Sequence, residues 1–229
     1  MITKGFSHTV IGSREINQDA YLVNENHGLY AVADGVGGGL KGEVASQMAV
    51  KGFEILAPAE GALSPVVEKL QEQVYAEAIS SLGEAVMGTT FTAIRINGNT
   101  ATVVHVGDSR CYSFSGNHLK LLTEDHEAFD EVLQGPLLIS YLGIQADIHP
   151  LKIQEETVAV QPGDLFLLCT DGLYRQIDEI RIASLIRSHA QSLEALPKLI
   201  CEEAAKAEHS DNVTVVLAVV EGSDAPSIS

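Results

Sequence analysis

Five short segments carry the residues with chemical potential: Arg14-Glu15-Ile16-Asn17-Gln18-Asp19, Ala33-Asp34-Gly35, Gly107-Asp108-Ser109-Arg110, Thr170-Asp171-Gly172 and Ser210-Asp211-Asn212. Each sets an acidic residue, or an arginine with one, at the edge of an apolar run. Carboxylates gathered in one cleft repel one another, so they persist only if a cation neutralises them or their pKa values rise. Hard oxygen ligands with few histidines or thiolates nearby suit magnesium or manganese better than zinc. The competing reading is turn chemistry, because Asp tolerates the left-handed region and Gly accepts positive φ.

The elements that must deliver these residues are legible. Leu29 to Ala33 and Leu165 to Cys169 read as short buried strands, each with an aspartate at its mouth, and Asp211-Asn212 stands where the strand from Val213 begins. Residues 6–36 read as strands. Val44, Ala45, Met48, Ala49, Gly52, Phe53 and Leu56 recur at helical spacing, and Ser64-Pro65 supplies a cap and a first-turn proline for a second helix beside the first. From 87 to 122 the pattern is antiparallel, with turns at Asn97-Gly98-Asn99 and Ser115-Gly116-Asn117. Strands resume over 151–170, helices follow near 178–189 and 192–207 with Asp178 and Ser192 as caps, and a last strand covers 213–220. This order alone gives an α+β protein. It contains no internal repeat or linker.

Motif order and spacing from Ser7 to about Val220, including Met87-Gly88-Thr89-Thr90 and Gly37-Gly38-Gly39 followed by Gly42 to Ser46, resemble the metal-dependent PPM family. These are type 2C Ser/Thr protein phosphatases, here in their compact bacterial form. The resemblance implies a four-layer α-β-β-α sandwich, two antiparallel sheets flanked by helix pairs, forming one catalytic domain over 1–221 with a frayed tail at 222–229. It implies two Mn²⁺ or Mg²⁺ ions that activate water for in-line attack on phosphorus, without a phosphoenzyme. Carried over, Asp34 bridges both metals, Asp171 and Asp211 complete the shell of the first metal, and Gly35 binds the second metal through its carbonyl. Asp19 reaches that second metal through water, Asp108 with Asp171 matches a third, weaker site, and Arg14 clamps the substrate phosphate. Val36 stands where some members have histidine, which removes a general acid there. The segment between Leu122 and Leu151 is short for a flap and has no Lys or Arg, which bears on substrate selection.

Composition agrees. There are 14 Lys and Arg against 31 Asp and Glu, a net charge of −17, which argues against nucleic acid or an anionic membrane as partner. Three cysteines suit a reducing cytosol, the N-terminus lacks a signal-like apolar region, and no stretch approaches a membrane span. Gly37 to Gly42 satisfies a dinucleotide pattern, but a second helix follows where a Rossmann unit returns to a strand. Cys169 and Arg175 have the spacing of a thiolate phosphatase, yet Asp171 and the apolar run oppose ionisation of that thiol. His126 reads as a surface or loop-anchoring residue. The expected function is hydrolysis of phosphoserine and phosphothreonine in proteins by a cytoplasmic monomer opposing a bacterial Ser/Thr kinase. Two alternatives are a non-catalytic phosphoprotein-binding module and a hydrolase of small phosphoesters.

Overall fold

The computed structural model describes residues 1–36, 41–84, 87–132, 134–145 and 150–222. The glycine run at 37–39 and most of the expected tail lie outside them. One sheet contains β1 (Ile2–Val10), β13 (Val213–Glu221), β12 (Leu165–Cys169), β7 (Arg110–Ser115) and β8 (His118–Leu121), in that spatial order. The second has the order β11 (Gln154–Ala159), β6 (Thr100–Val106), β5 (Phe91–Asn97), β3 (Leu29–Val36) and β2 (Asp19–Asn24), with β4 (Gly88–Thr89) paired to the end of β3. All these pairings are antiparallel. A separate hairpin, β9 (Glu127–Asp130) with β10 (Gly135–Leu138), lies in the segment between Leu122 and Leu151 that the resemblance reads as a short flap.

The period-two alternation of the strands builds three cores, and three cores require four layers. Leu29, Ala31 and Ala33 pack with Ala45, Ala49, Phe53, Leu70 and Val74 of α1 (Gly42–Leu56) and α2 (Ser64–Leu82). The intervening Tyr30 and Val32 meet Phe166, Leu168 and Val216 between the sheets. Leu165, Leu167 and Cys169 turn the other way, toward α4 (Glu179–Ser188) and α5 (Leu196–Ala204), where Ile182, Leu185, Ile186 and Ile200 cover them. Fully burying one such Leu or Val is worth about 1.5–3 kcal/mol, so each face is strongly specified and a one-residue slip would expose it.

Several boundaries differ from the sequence reading. Ser64 is the first residue of α2 rather than its cap; the Glu155 carboxylate takes the Ser64 hydroxyl and the orphan N–H groups of Leu63 (3.2 Å) and Ser64 (2.7 Å). A residue ninety positions away thus does what a local cap was expected to do. Asp178 does cap α4, accepting from Arg181 N at 2.7 Å, whereas α5 begins at Leu196 behind Ala195 and Ser192 caps nothing. Asp34 lies inside β3, two residues before its end. A four-residue helix, α3 (Asp171–Tyr174), starts directly on Asp171.

Candidate metal and phosphate site

β2 and β3 set Asp19 and Asp34 as direct cross-strand partners. On these strands Ala20, Leu22, Ala31 and Ala33 take the helix side, so the two aspartates project with Tyr30 and Val32 into the space between the sheets. Like charges directly opposite on adjacent strands destabilise a sheet unless something neutralises them. The opposing sheet answers with hydroxyls: Thr170 and Thr214 both donate to Asp19 Oδ2, at 2.9 and 2.6 Å. Oδ1 of Asp19 is buried and has no hydrogen-bond partner. Desolvation foremost, opposed by those two hydroxyls, pushes the Asp19 carboxyl up to about 7. Asp34 is raised well above the usual range, first by desolvation and then by the charges of Asp19, Asp171, Asp108 and Asp211. Four other carboxylates thus lie within electrostatic reach of Asp34.

Both glycines of the Asp-Gly pairs are demanded by close packing. Neither Gly35 nor Gly172 has positive φ, which overturns the turn-chemistry reading. A Cβ on Gly35 would lie 2.4 Å from the carbonyl carbon of Gly42, and one on Gly172 would lie 2.1 Å from the Asn212 carbonyl oxygen. β3 therefore reaches the start of α1, and α3 reaches the start of β13, only because a side chain is missing. Gly107 does need its φ of +111°, in the crossover from β6 of one sheet to β7 of the other that carries Asp108.

Sequence reasoning missed the residues that tie these segments together. Thr90 accepts from Asp34 N at 2.9 Å, donates its own N–H to Asp34 O, and its hydroxyl meets Ser109 Oγ at 2.7 Å, which fixes Asp34 to the Asp108 loop. Asn212 accepts from Gln18 N and donates to the carbonyls of Ile11 and Ile16, so it moors the Arg14 loop to the Asp211 loop. Such polar residues at motif edges have no periodic signature. His126 is nearly buried and accepts from Gly107 N at 3.1 Å, so of its two readings loop anchoring holds. Cys169 is fully buried and burial raises its thiol, which removes the thiolate alternative.

A cleft of about 460 Å³ is lined by Arg14, Glu15, Gln18, Asp34, Gly35 and Asp211, among others. Arg14 is ion-paired across it with Asp211 at 2.5 Å. Arg175 engages Asp171, Asp108 and Glu127 at 2.8, 3.1 and 2.6 Å. Among the described residues, no three acidic, histidine or cysteine side chains converge closely enough, as they stand, to hold one metal ion. The donor set nevertheless fits divalent ions: it is all oxygen, and Oδ1 of both Asp19 and Asp171 is buried without a partner.

Comparison with known proteins agrees with this architecture. A family model described as Stage II sporulation protein E (SpoIIE) matches residues 24–221. The serine/threonine phosphatase stp of Listeria welshimeri is 29% identical over 227 residues, 89% of this chain and 88% of that protein. The crystal structure of the Mycobacterium tuberculosis serine/threonine phosphatase PstP/Ppp superposes with a TM-score of 0.85 at 26% identity, covering 97% of this chain and all of the other. The catalytic domain of PstP in complex with two manganese ions gives 0.82 at 26% identity, over 96% of this chain and 99% of the other. The fold coincides, and the chain belongs to the SpoIIE-type family of bacterial metal-dependent PPM phosphatases.

Proposed function

We propose that residues 1–221 form one catalytic unit that hydrolyses phosphoserine and phosphothreonine in proteins with two Mn²⁺ or Mg²⁺ ions. The carrying observation is the cross-strand pair Asp19 and Asp34, whose mutual repulsion is relieved either by protons, as their raised pKa values show, or by a bound divalent cation that leaves both ionised. The pairing of Ile2 with Glu221, which joins the first strand to the last, supports a single unit.

When bound, the metal pair acidifies water and stabilises the charge that builds on phosphoryl oxygen. The chain's own residues do the rest. Asp34, Asp171 and Asp211, with the Gly35 carbonyl, would hold the pair. Asp19 orients an outer position, since Thr170 and Thr214 occupy one of its oxygens and leave the other open. Arg14 sits at the cleft mouth and offers a planar fork to two phosphate oxygens. Its pairing with Asp211 keeps the guanidinium extended over the cleft until a substrate phosphate competes for it. Val36 brings no proton donor, so leaving-group protonation does not come from that position.

The proposal extends to a cytoplasmic monomer acting opposite a bacterial Ser/Thr kinase. Three free, buried cysteines are compatible with a reducing compartment, and no helix among the described residues is long and apolar enough to cross a membrane. Release of phosphate from a phosphothreonine peptide, with Mn²⁺ and after EDTA, tests the function. We expect turnover that chelation abolishes and Mn²⁺ restores. Metal-independent turnover, or binding of the phosphopeptide without hydrolysis, would overturn it.

A further inference from the structure

Arg175 reads in the sequence only as half of a thiolate motif, yet its guanidinium engages three carboxylates at once. Its Nε donates to Asp171 Oδ2 at 2.8 Å, and its Nη2 donates to Asp108 Oδ2 at 3.1 Å and to Glu127 Oε1 at 2.6 Å. Asp108 and Asp171 are the two carboxylates that a third metal would share. We propose that the Arg175 guanidinium is a built-in cation that takes the place of this third divalent ion and leaves the enzyme with two.

The geometry supports substitution rather than coexistence. A magnesium ion would stand about 2.0–2.1 Å from its oxygen ligands, whereas Oδ2 of both aspartates already accepts from the guanidinium. Arg175 also divides Asp171, occupying Oδ2 and leaving the buried Oδ1 without a partner for the metal pair. The charge is permanent. A guanidinium stays protonated throughout the accessible pH range, and here three carboxylates surround it. The side chain is held in place as well: Tyr174 donates its hydroxyl to the Asp108 carbonyl at 2.9 Å, and the guanidinium carbons of Arg110 and Arg175 lie 3.6 and 5.6 Å from its ring centre. Through Glu127 the same arginine joins the β9 hairpin to α3, so the flap is anchored without an exchangeable ion. A surface ion pair of the ordinary kind would not alter metal stoichiometry.

This inference rests on the binuclear reading of Asp34, Asp171 and Asp211, and metal counting separates the two. Mn²⁺ bound at saturation is measured by equilibrium dialysis, and free Mn²⁺ by electron paramagnetic resonance, for the wild type, Arg175→Met, and Arg175→Met combined with Asp108→Asn. We expect two ions in the wild type, three in Arg175→Met with the third released first on dilution, and two again in the double variant. Three ions in the wild type would overturn the role of Arg175 while leaving the binuclear centre standing, and this arm needs no variant to fold. Two ions in a folded Arg175→Met protein would overturn it equally. Fewer than two in the wild type would remove the binuclear reading and the inference with it.

Discussion

The sharpest contrast between neighbouring side chains lies in Cys169 and Asp171, two residues apart on opposite sides of a strand end. Cys169 faces the α4 and α5 core and is fully buried, whereas Asp171 opens α3 with one oxygen unpartnered. Cys169→Ser should therefore retain most activity at a cost of about 1–3 kcal/mol in stability for placing a hydroxyl in an apolar layer. Asp171→Asn should be nearly inactive with a normal melting temperature. Loss of activity in the serine variant, together with inactivation by iodoacetamide, would revive the thiolate mechanism. Asp34→Asn should lower kcat by more than the roughly 100-fold typical of changes one shell further out, because an amide cannot neutralise two cations. Arg14→Ala should raise KM and lower kcat on a phosphopeptide, since phosphoryl charge grows toward the transition state. Steady-state kinetics with Mn²⁺ in excess measure both variants, and unchanged values for Arg14→Ala would leave it a surface partner of Asp211.

At the scale of elements, the site depends on how closely β3 meets α1 and α3 meets β13. A methyl at Gly172 would fall 2.1 Å from a carbonyl oxygen of another segment, and backbone cannot give way as a flexible side chain can. Gly172→Ala should separate Asp171 from Asp211, with a loss of about 1–3 kcal/mol by chemical denaturation and a larger loss of Mn²⁺ affinity. Gly61 is the control, because a Cβ there meets nothing within 4 Å and its φ is not positive. Gly61→Ala should be neutral or stabilising by about 0.4–1 kcal/mol. Equal behaviour of the two variants would show that the close approach has no energetic consequence.

For the whole molecule, the carboxylate cluster makes folding and metal binding interdependent. Asp19 and Asp108 both move from 3.8 to about 7, with desolvation as the main cause in each. The folded state thus binds protons more tightly than the unfolded chain, and stability without metal falls as pH rises from about 4 through 7. His105, buried and lowered to about 3, runs the other way below 6.5, because there the unfolded chain takes up the proton. The carboxylate effect is therefore clearest between pH 6.5 and 8. Scanning calorimetry in EDTA should show the melting temperature falling over that interval, and Mn²⁺ should restore it by an increment that grows with pH and is accompanied by proton release. A metal-free melting temperature that rises across the interval would mean that the cluster does not carry these protons.

Much of this was determined by the sequence itself. The strand runs ending near Asp34 and Asp171, the helical face from Val44 to Leu56 and the hairpin turns are local patterns, and local patterns follow from side-chain period and turn chemistry. The motif order likewise identified the family and nominated Asp34, Asp171 and Asp211. Tertiary structure alone decided that Asp19 lies opposite Asp34, that Thr170 and Thr214 reach across from the other sheet, and that Glu155 caps α2 in place of Ser64. It also decided that Arg175 gathers Asp108, Asp171 and Glu127 around one guanidinium, and that Gly35 and Gly172 are needed for approach rather than for φ. The physical reason is common to all of these. Each is a contact between segments distant in the chain, so no period or propensity encodes it, and it exists only once hydrophobic burial has stacked the two sheets.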